Sequence, residues 1–150
     1  MKFKPTNCPA WLKRDIPQLG ELFDKYFDNL LGESWISVNF VKKSKVQELN
    51  AKYNKLDMST DVLSFPFVFV DSGEKVDNEE LGEIYISEDV VKENAKEYKV
   101  KYEEELLRVL IHGALHILGY DHKGNLNVPE PEDKEMFDMQ EFLLQEILKK

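Results

Sequence analysis

Apolar residues recur at helical spacing over residues 17–31. Leu19, Leu22, Phe23, Tyr26, Phe27, Leu30 and Leu31 fall on one stripe, and Gly32 follows as a stop. Residues 35–41 alternate instead, with Ile36, Val38 and Phe40 on one face, which predicts a half-buried strand. Ser44 at a capping position predicts a short helix from Lys45 to about Tyr53, followed by a polar loop over 54–61. Val62 to Val70 is apolar and β-rich but contains Pro66. Proline has no N–H to give a ladder, so this strand is placed at a sheet edge or bulged. The acidic residues 71–80 read as a hairpin connection to a strand over Leu81–Ile86. Ser87 then caps a helix reaching about Tyr98, with Glu88 and Asp89 suited to its first turn.

The segment 102–118 has a different pattern. Leu106, Leu107, Val109, Leu110, Ala114, Leu115, Ile117 and Leu118 make it apolar around most of its circumference, which predicts a helix buried at the centre of the fold. Residues 119–130 read as an exposed loop, and Pro131 suits the first position of a final helix running to about Leu148. Three or four strands, about five helices and no regular strand–helix–strand repeat predict an α+β fold with a small mixed sheet. A chain of 150 residues without repeats or linkers is expected to form a single domain, 1–150, around one core.

Composition adds limits. A hydrophobic content of 42% beside 33% charged residues fits a soluble globular protein, and no apolar run approaches the ~20 residues that span a bilayer. The start, Met1-Lys2-Phe3-Lys4-Pro5, lacks the long apolar segment of a signal peptide. Cys8 is the one cysteine, so no intrachain disulfide can form, and a reducing, cytoplasmic location is expected. The net charge of −9 is unevenly spread: residues 1–60 balance at +3, with Lys42, Lys43, Lys45, Lys52 and Lys55 clustered, whereas 61–122 balance at −9. The cluster has two readings, a solvated face or a local phosphate-binding strip on an acidic protein.

All three histidines lie in one run, His112-Gly113-Ala114-Leu115-His116-Ile117-Leu118-Gly119-Tyr120-Asp121-His122. His112 and His116 are four apart, so on a helix they share a face with Cβ atoms ~5–6 Å apart and can address one metal ion. His122 is too far along to join them on a continuous helix. Gly119, midway between His116 and His122, can adopt the left-handed conformation that ends a helix, so the turn can bring His122 back over the same face. Three histidines with an open fourth position form the catalytic zinc pattern, whereas structural sites are closed by four protein ligands. One Zn2+ held by His112, His116 and His122 is therefore expected. Three neutral imidazoles leave its +2 charge uncompensated, able to acidify a bound water and polarise a phosphodiester oxygen. The spacing also matches the metzincin pattern H-E-x-x-H-x-x-G-x-x-H, except that Gly113 replaces the general-base glutamate. That departure argues against peptide hydrolysis.

The run HGALHILGYDH resembles the H-G-x-L-H-L-x-G-Y-D-H signature of the YbeY family of bacterial endoribonucleases. Thr60-Asp61-Val62-Leu63-Ser64-Phe65-Pro66 is similar to that family's second signature, and Gly82-Glu83-Ile84-Tyr85-Ile86-Ser87 to the strand that follows it. The resemblance implies a zincin-like α+β fold with the metal helix in the middle, and a metal-dependent single-strand endoribonuclease acting in ribosomal RNA maturation. Its partners would be ribosomal RNA and the small ribosomal subunit or its assembly proteins, with neither membrane nor DNA expected. Family members carry an arginine in the loop before the second signature. Here Asn54-Lys55 stand there, which makes Lys55 the candidate cation, a point charge without the arginine fork.

The remaining residues keep more than one reading. Asp121 can orient a ligand, act as general base in place of the missing glutamate, or cap the turn. Arg108, one turn before His112, can contact a phosphate or pair with Glu104 or Glu105. Asp61 and Ser64 can be structural, Asp61 holding the loop and Ser64 the edge strand. Two rivals to the ribonuclease remain: a metal-dependent hydrolase of a peptide or amide, and a non-catalytic zinc-stabilised module that binds the ribosome. The last needs a fourth protein ligand, for which Cys8 and Asp121 are the candidates.

Overall fold

A computed structural model of the chain describes residues 3–27, 33–67, 79–119 and 131–149. Among them run β1 (Phe3–Thr6), α1 (Ile16–Tyr26), β2 (Trp35–Val41), α2 (Lys43–Asn54), β3 (Val62–Pro66), β4 (Glu80–Ser87), α3 (Glu88–Tyr98), α4 (Tyr102–Ile117) and α5 (Pro131–Leu148). The strands form one mixed sheet in the order β1-β2-β4-β3, with β1, β2 and β4 parallel and β3 antiparallel to β4. This is the expected α+β class.

Both proline-bearing strands, β1 with Pro5 and β3 with Pro66, occupy the edges, where a missing N–H costs no ladder bond. The structure thus places β3 at an edge, as its proline predicts. β1 has no counterpart in the periodicity analysis, because four residues with Lys4 and Pro5 inside them carry too little alternation to be read. Helix α1 ends sooner than its apolar stripe predicts, at Tyr26 with Phe27 as its cap residue. The residues 68–78 and 28–32, which include the far end of the predicted edge strand and Gly32, lie outside the described residues.

One face of the sheet is fully buried through Ile36, Val38 and Phe40 of β2 and Ile84 and Ile86 of β4. Alternate residues Ser37, Asn39, Glu83 and Tyr85 are half-buried, as period-2 strands require. On this second face Tyr53 of α2 meets Phe65 edge-on, and Phe65 meets Tyr85. Ser87 caps α3 as predicted, its hydroxyl accepting from the Val90 N–H. Ser44 does not cap α2. That helix begins at Lys43, with extended Lys42 as its cap residue and Ser44 inside the first turn. The helix starts directly where β2 ends, and the carbonyl of Lys42 accepts from the N–H groups of Lys45 and Val46.

Helix α4 is the central element. It packs against α3, α5, β3 and β4 and buries Leu106, Leu107, Val109, Leu110, Ile111, Ala114, Leu115 and Ile117. From Glu105 to Leu118 its half-buried positions are Arg108, His112 and His116, one every four residues. That stripe is the part of α4 that carries polar chemistry.

Two glycines set how closely α4, β3 and β4 approach one another. A Cβ on Gly113 would stand 3.0 Å from Ser64 Oγ and 3.2 Å from two side-chain carbons of Ile84. A Cβ on Gly82 would stand 2.6 Å from the Phe65 carbonyl and 3.0 Å from Ile117 Cδ1. Both positions are spaces that a side chain would fill.

Candidate metal centre

His112 and His116 project from α4 one turn apart, their rings edge to face with centroids 4.7 Å apart. Their Nε2 atoms face each other at 3.1 Å. Two imidazole nitrogens sharing a four-coordinate ion with bonds of about 2.0–2.1 Å stand about 3.3 Å apart, so the pair fits a metal of zinc's size and ligand preference. The histidines line a cavity of about 330 Å³ whose other walls come from the edge strand: Val62, Leu63, Ser64 and Pro66. The site therefore lies between α4 and β3. The Ser64 hydroxyl donates to the Gly113 carbonyl at 3.2 Å, which ties β3 to the metal helix.

The end of α4 follows the expected form. Leu118 is the cap residue, and Gly119 adopts φ of 106°, a region that L side chains rarely enter, with its N–H on the His116 carbonyl at 3.1 Å. Tyr120, Asp121 and His122 lie outside the described residues. Among the described residues no three His, Cys, Asp or Glu side chains converge on one point. Of the three expected ligands, the two on α4 are described.

Behind the pair is a polar network that runs through Gln140 and Glu141 of α5. His112 Nδ1 lies 2.7 Å from Gln140 Oε1 on α5. Gln140 Nε2 donates to Glu141 at 3.0 Å, and Glu141 takes Nε and Nη2 of Arg108 at 3.0 and 3.2 Å. Arg108 also pairs with Glu105 at 2.7 Å and Glu104 at 3.4 Å. Of its two readings, the structure places Arg108 in ion pairs. Burial alone would lower its guanidinium pKa, but hydrogen bonds to Glu141 and Glu105 raise it. Burial pushes the Glu105 carboxyl up against the pull of Arg108, whereas Arg108 and Gln140 overcome burial and hold Glu141 below its usual range. The missed signal was Gln140 itself: a polar residue on the face of α5 that otherwise buries Met136, Leu143, Leu144 and Ile147.

The other candidates separate. Lys55 ends α2 in a left-handed conformation, φ of 62°, is exposed, and is not among the residues lining the histidine cavity. Lys43 pairs with Glu93 at 3.5 Å and Lys45 with Glu48 at 3.8 Å, both on the exposed surface. Cys8 follows β1, at the opposite edge of the sheet from β3, packs against the core and is not among the lining residues. Asp61 holds its loop: its carbonyl accepts from the Ser87 N–H at 3.0 Å, and its carboxylate accepts from Asn94 at 3.4 Å. No helix among the described residues is long and apolar enough to cross a membrane.

Fold and site together have the form of a small α+β hydrolase domain built around a histidine-bearing helix. The family model for endoribonuclease YbeY matches residues 12–148. Curated relatives named endoribonuclease YbeY include that of Thermotoga neapolitana, 37% identical over 90% of this chain and 82% of its own length. That of Aliarcobacter butzleri is 42% identical over 77% and 82%. The solution structure of TM1509 from Thermotoga maritima superposes with a TM-score of 0.62 at 30% identity, covering 97% of this chain and 88% of that one. The chain belongs to the YbeY endoribonuclease family.

Proposed function

We propose that this protein is a single-domain, metal-dependent endoribonuclease of ribosomal RNA maturation, with one Zn2+ held by His112, His116 and His122. Membership of the family makes the substrate RNA and the reaction endonucleolytic. The observation that carries the metal reading is the 3.1 Å approach of the His112 and His116 Nε2 atoms in the lining of a cavity. When bound, a divalent ion supplies Lewis-acid polarisation of a phosphodiester oxygen at that point.

The protein's own groups do the rest. Helix α4, packed on nearly every side, holds the imidazoles fixed, so little reorganisation accompanies the reaction. The Val62–Pro66 strand forms the facing wall along which a backbone of RNA can lie. Gly113 offers no general base, and a glutamate there would meet Ile84 and Ser64 before it reached the cavity. A phosphodiester with an adjacent 2′-hydroxyl depends less on such a base than an amide does, because the nucleophile is already in the substrate. Asp121, beside His122, is our candidate to orient a ligand or accept a proton. Lys55 is our candidate for a phosphate contact. The net charge of −9 disfavours general nucleic-acid affinity, and the lysine cluster of the first sixty residues would make RNA binding local and salt-sensitive. The small ribosomal subunit or its assembly proteins, in the cytoplasm, are the partners this reading proposes.

The test is to incubate zinc-loaded protein with ribosomal RNA and, separately, with unfolded polypeptide, beside His116→Ala. RNA cleavage that is lost in the variant supports the reading. Peptide cleavage lost in the variant, with RNA intact, overturns it.

A further inference from the structure

We infer that Gln140 is a positioning residue that locks His112 in the tautomer able to bind a cation, through a hydrogen-bond chain whose direction is set by Arg108. The inference rests on the metal reading above and extends it to α5. Each link has one allowed direction. A guanidinium has only donors, so Arg108 donates to Glu141, and does so through two nitrogens at 3.0 and 3.2 Å. An ionised carboxylate only accepts, so Gln140 turns its NH2 towards Glu141, 3.0 Å away. The opposite rotamer would set an amide oxygen against a carboxylate. The Gln140 oxygen therefore faces His112 Nδ1 at 2.7 Å, and an oxygen without a proton only accepts. The Nδ1 atom must carry the hydrogen.

A neutral imidazole has one such hydrogen, so Nε2 is left with its lone pair. That is the atom facing His116 Nε2 at 3.1 Å. A ligating histidine needs this state, with its other N–H given to a fixed acceptor. Here the acceptor is an amide 6% exposed, whose own orientation is held from another helix. Arg108 in turn is held by Glu105, itself 4% exposed, so the whole chain sits in the α4–α5 interface. Helix packing, not the metal loop, sets the protonation pattern of the first ligand.

The full chain, metal-free and 15N-labelled at histidine, gives the tautomer directly from long-range proton–nitrogen correlations. His112 in the Nδ1–H form is the expected result, and the Nε2–H form in the native chain overturns the inference. Two variants add an affinity readout by competition with a chromophoric zinc chelator. Gln140→Met keeps the shape without a carbonyl acceptor and should weaken zinc binding by about 10–100-fold. Gln140→Glu restores an accepting oxygen toward His112 but sets its second oxygen against Glu141, so it should recover part of that loss. A folded Gln140→Met with native zinc affinity, beside a His116→Ala that has lost it, overturns the role of Gln140 and leaves the metal reading standing. Native affinity in both overturns the two together. Should Gln140→Met not fold, the tautomer in the native chain decides.

Discussion

Gly113→Ala sets two opposed effects against each other at the centre of the site. In an exposed helix the change stabilises by about 1 kcal/mol, because alanine orders the helix at lower entropic cost. At this position the new methyl stands 3.0 Å from Ser64 Oγ and 3.2 Å from two carbons of Ile84. Neither neighbour can yield freely. Ile84 is fully buried between the sheet and α4, and Ser64 Oγ is bonded to the Gly113 carbonyl itself. Overpacking of this kind costs about 1–3 kcal/mol. The net expectation is destabilisation of up to about 2 kcal/mol, and each kcal/mol lowers Tm by about 2–4 °C in a chain of this size. Relief requires α4 to move away from β3, which widens the cavity at Ser64 and should lower RNA cleavage. Chemical denaturation of native and variant chains reads the sign. An alanine variant more stable by about 1 kcal/mol would show that the close approach at Gly113 does not exist, and the account of why no glutamate stands there would fall with it.

Gly82→Ala should cost more than Gly113→Ala, above about 2 kcal/mol, because the atom 2.6 Å from the new methyl is a backbone carbonyl that cannot rotate away; equal costs in denaturation would contradict this. Gly119→Val should lower zinc affinity well beyond its effect on Tm, since a β-branched residue resists φ of 106° and the following residues carry His122; unchanged affinity by chelator competition refutes it. Glu141→Ala should cost about 1.5–3 kcal/mol at neutral pH by removing a hydrogen-bonded charge. The Glu141 pKa is lowered in the folded state, so its stabilisation is present above the ordinary carboxylate range and lost as pH falls through the depressed value. The gap between native and variant stabilities should therefore narrow on acidification, and a gap that stays constant from pH 7 down to about pH 3 rules the linkage out. Neutralising Lys42, Lys45, Lys52 and Lys55 together should flatten the salt dependence of RNA binding, as fewer counterions are released; an unchanged slope assigns the cluster to solvent.

The elements legible in the sequence were those whose signal is local. The 3.6-residue apolar pattern around α4 required burial, and the alternation in β2 required a two-faced strand. Pro66 excluded a central position for β3, and Gly119 marked the end of α4 through the backbone region it alone enters easily. The pairing of His112 with His116 follows from helix geometry, so it too was readable. Relations between elements were not. The four residues of β1 become a strand because β2 offers them an edge, and α2 starts at Lys43 because β2 ends at Val41 and leaves Lys42 alone to connect them. The pairs of Arg108 with Glu104 and Glu105 followed from helical spacing, but its third carboxylate, Glu141, stands 33 positions away. Gln140 illustrates the limit most clearly. Helical spacing marks it as a polar residue on an apolar face, but its role depends on which atom faces which partner. That is settled only when α5 packs on α4 and brings a donor-only guanidinium, a carboxylate, an amide and an imidazole into one line.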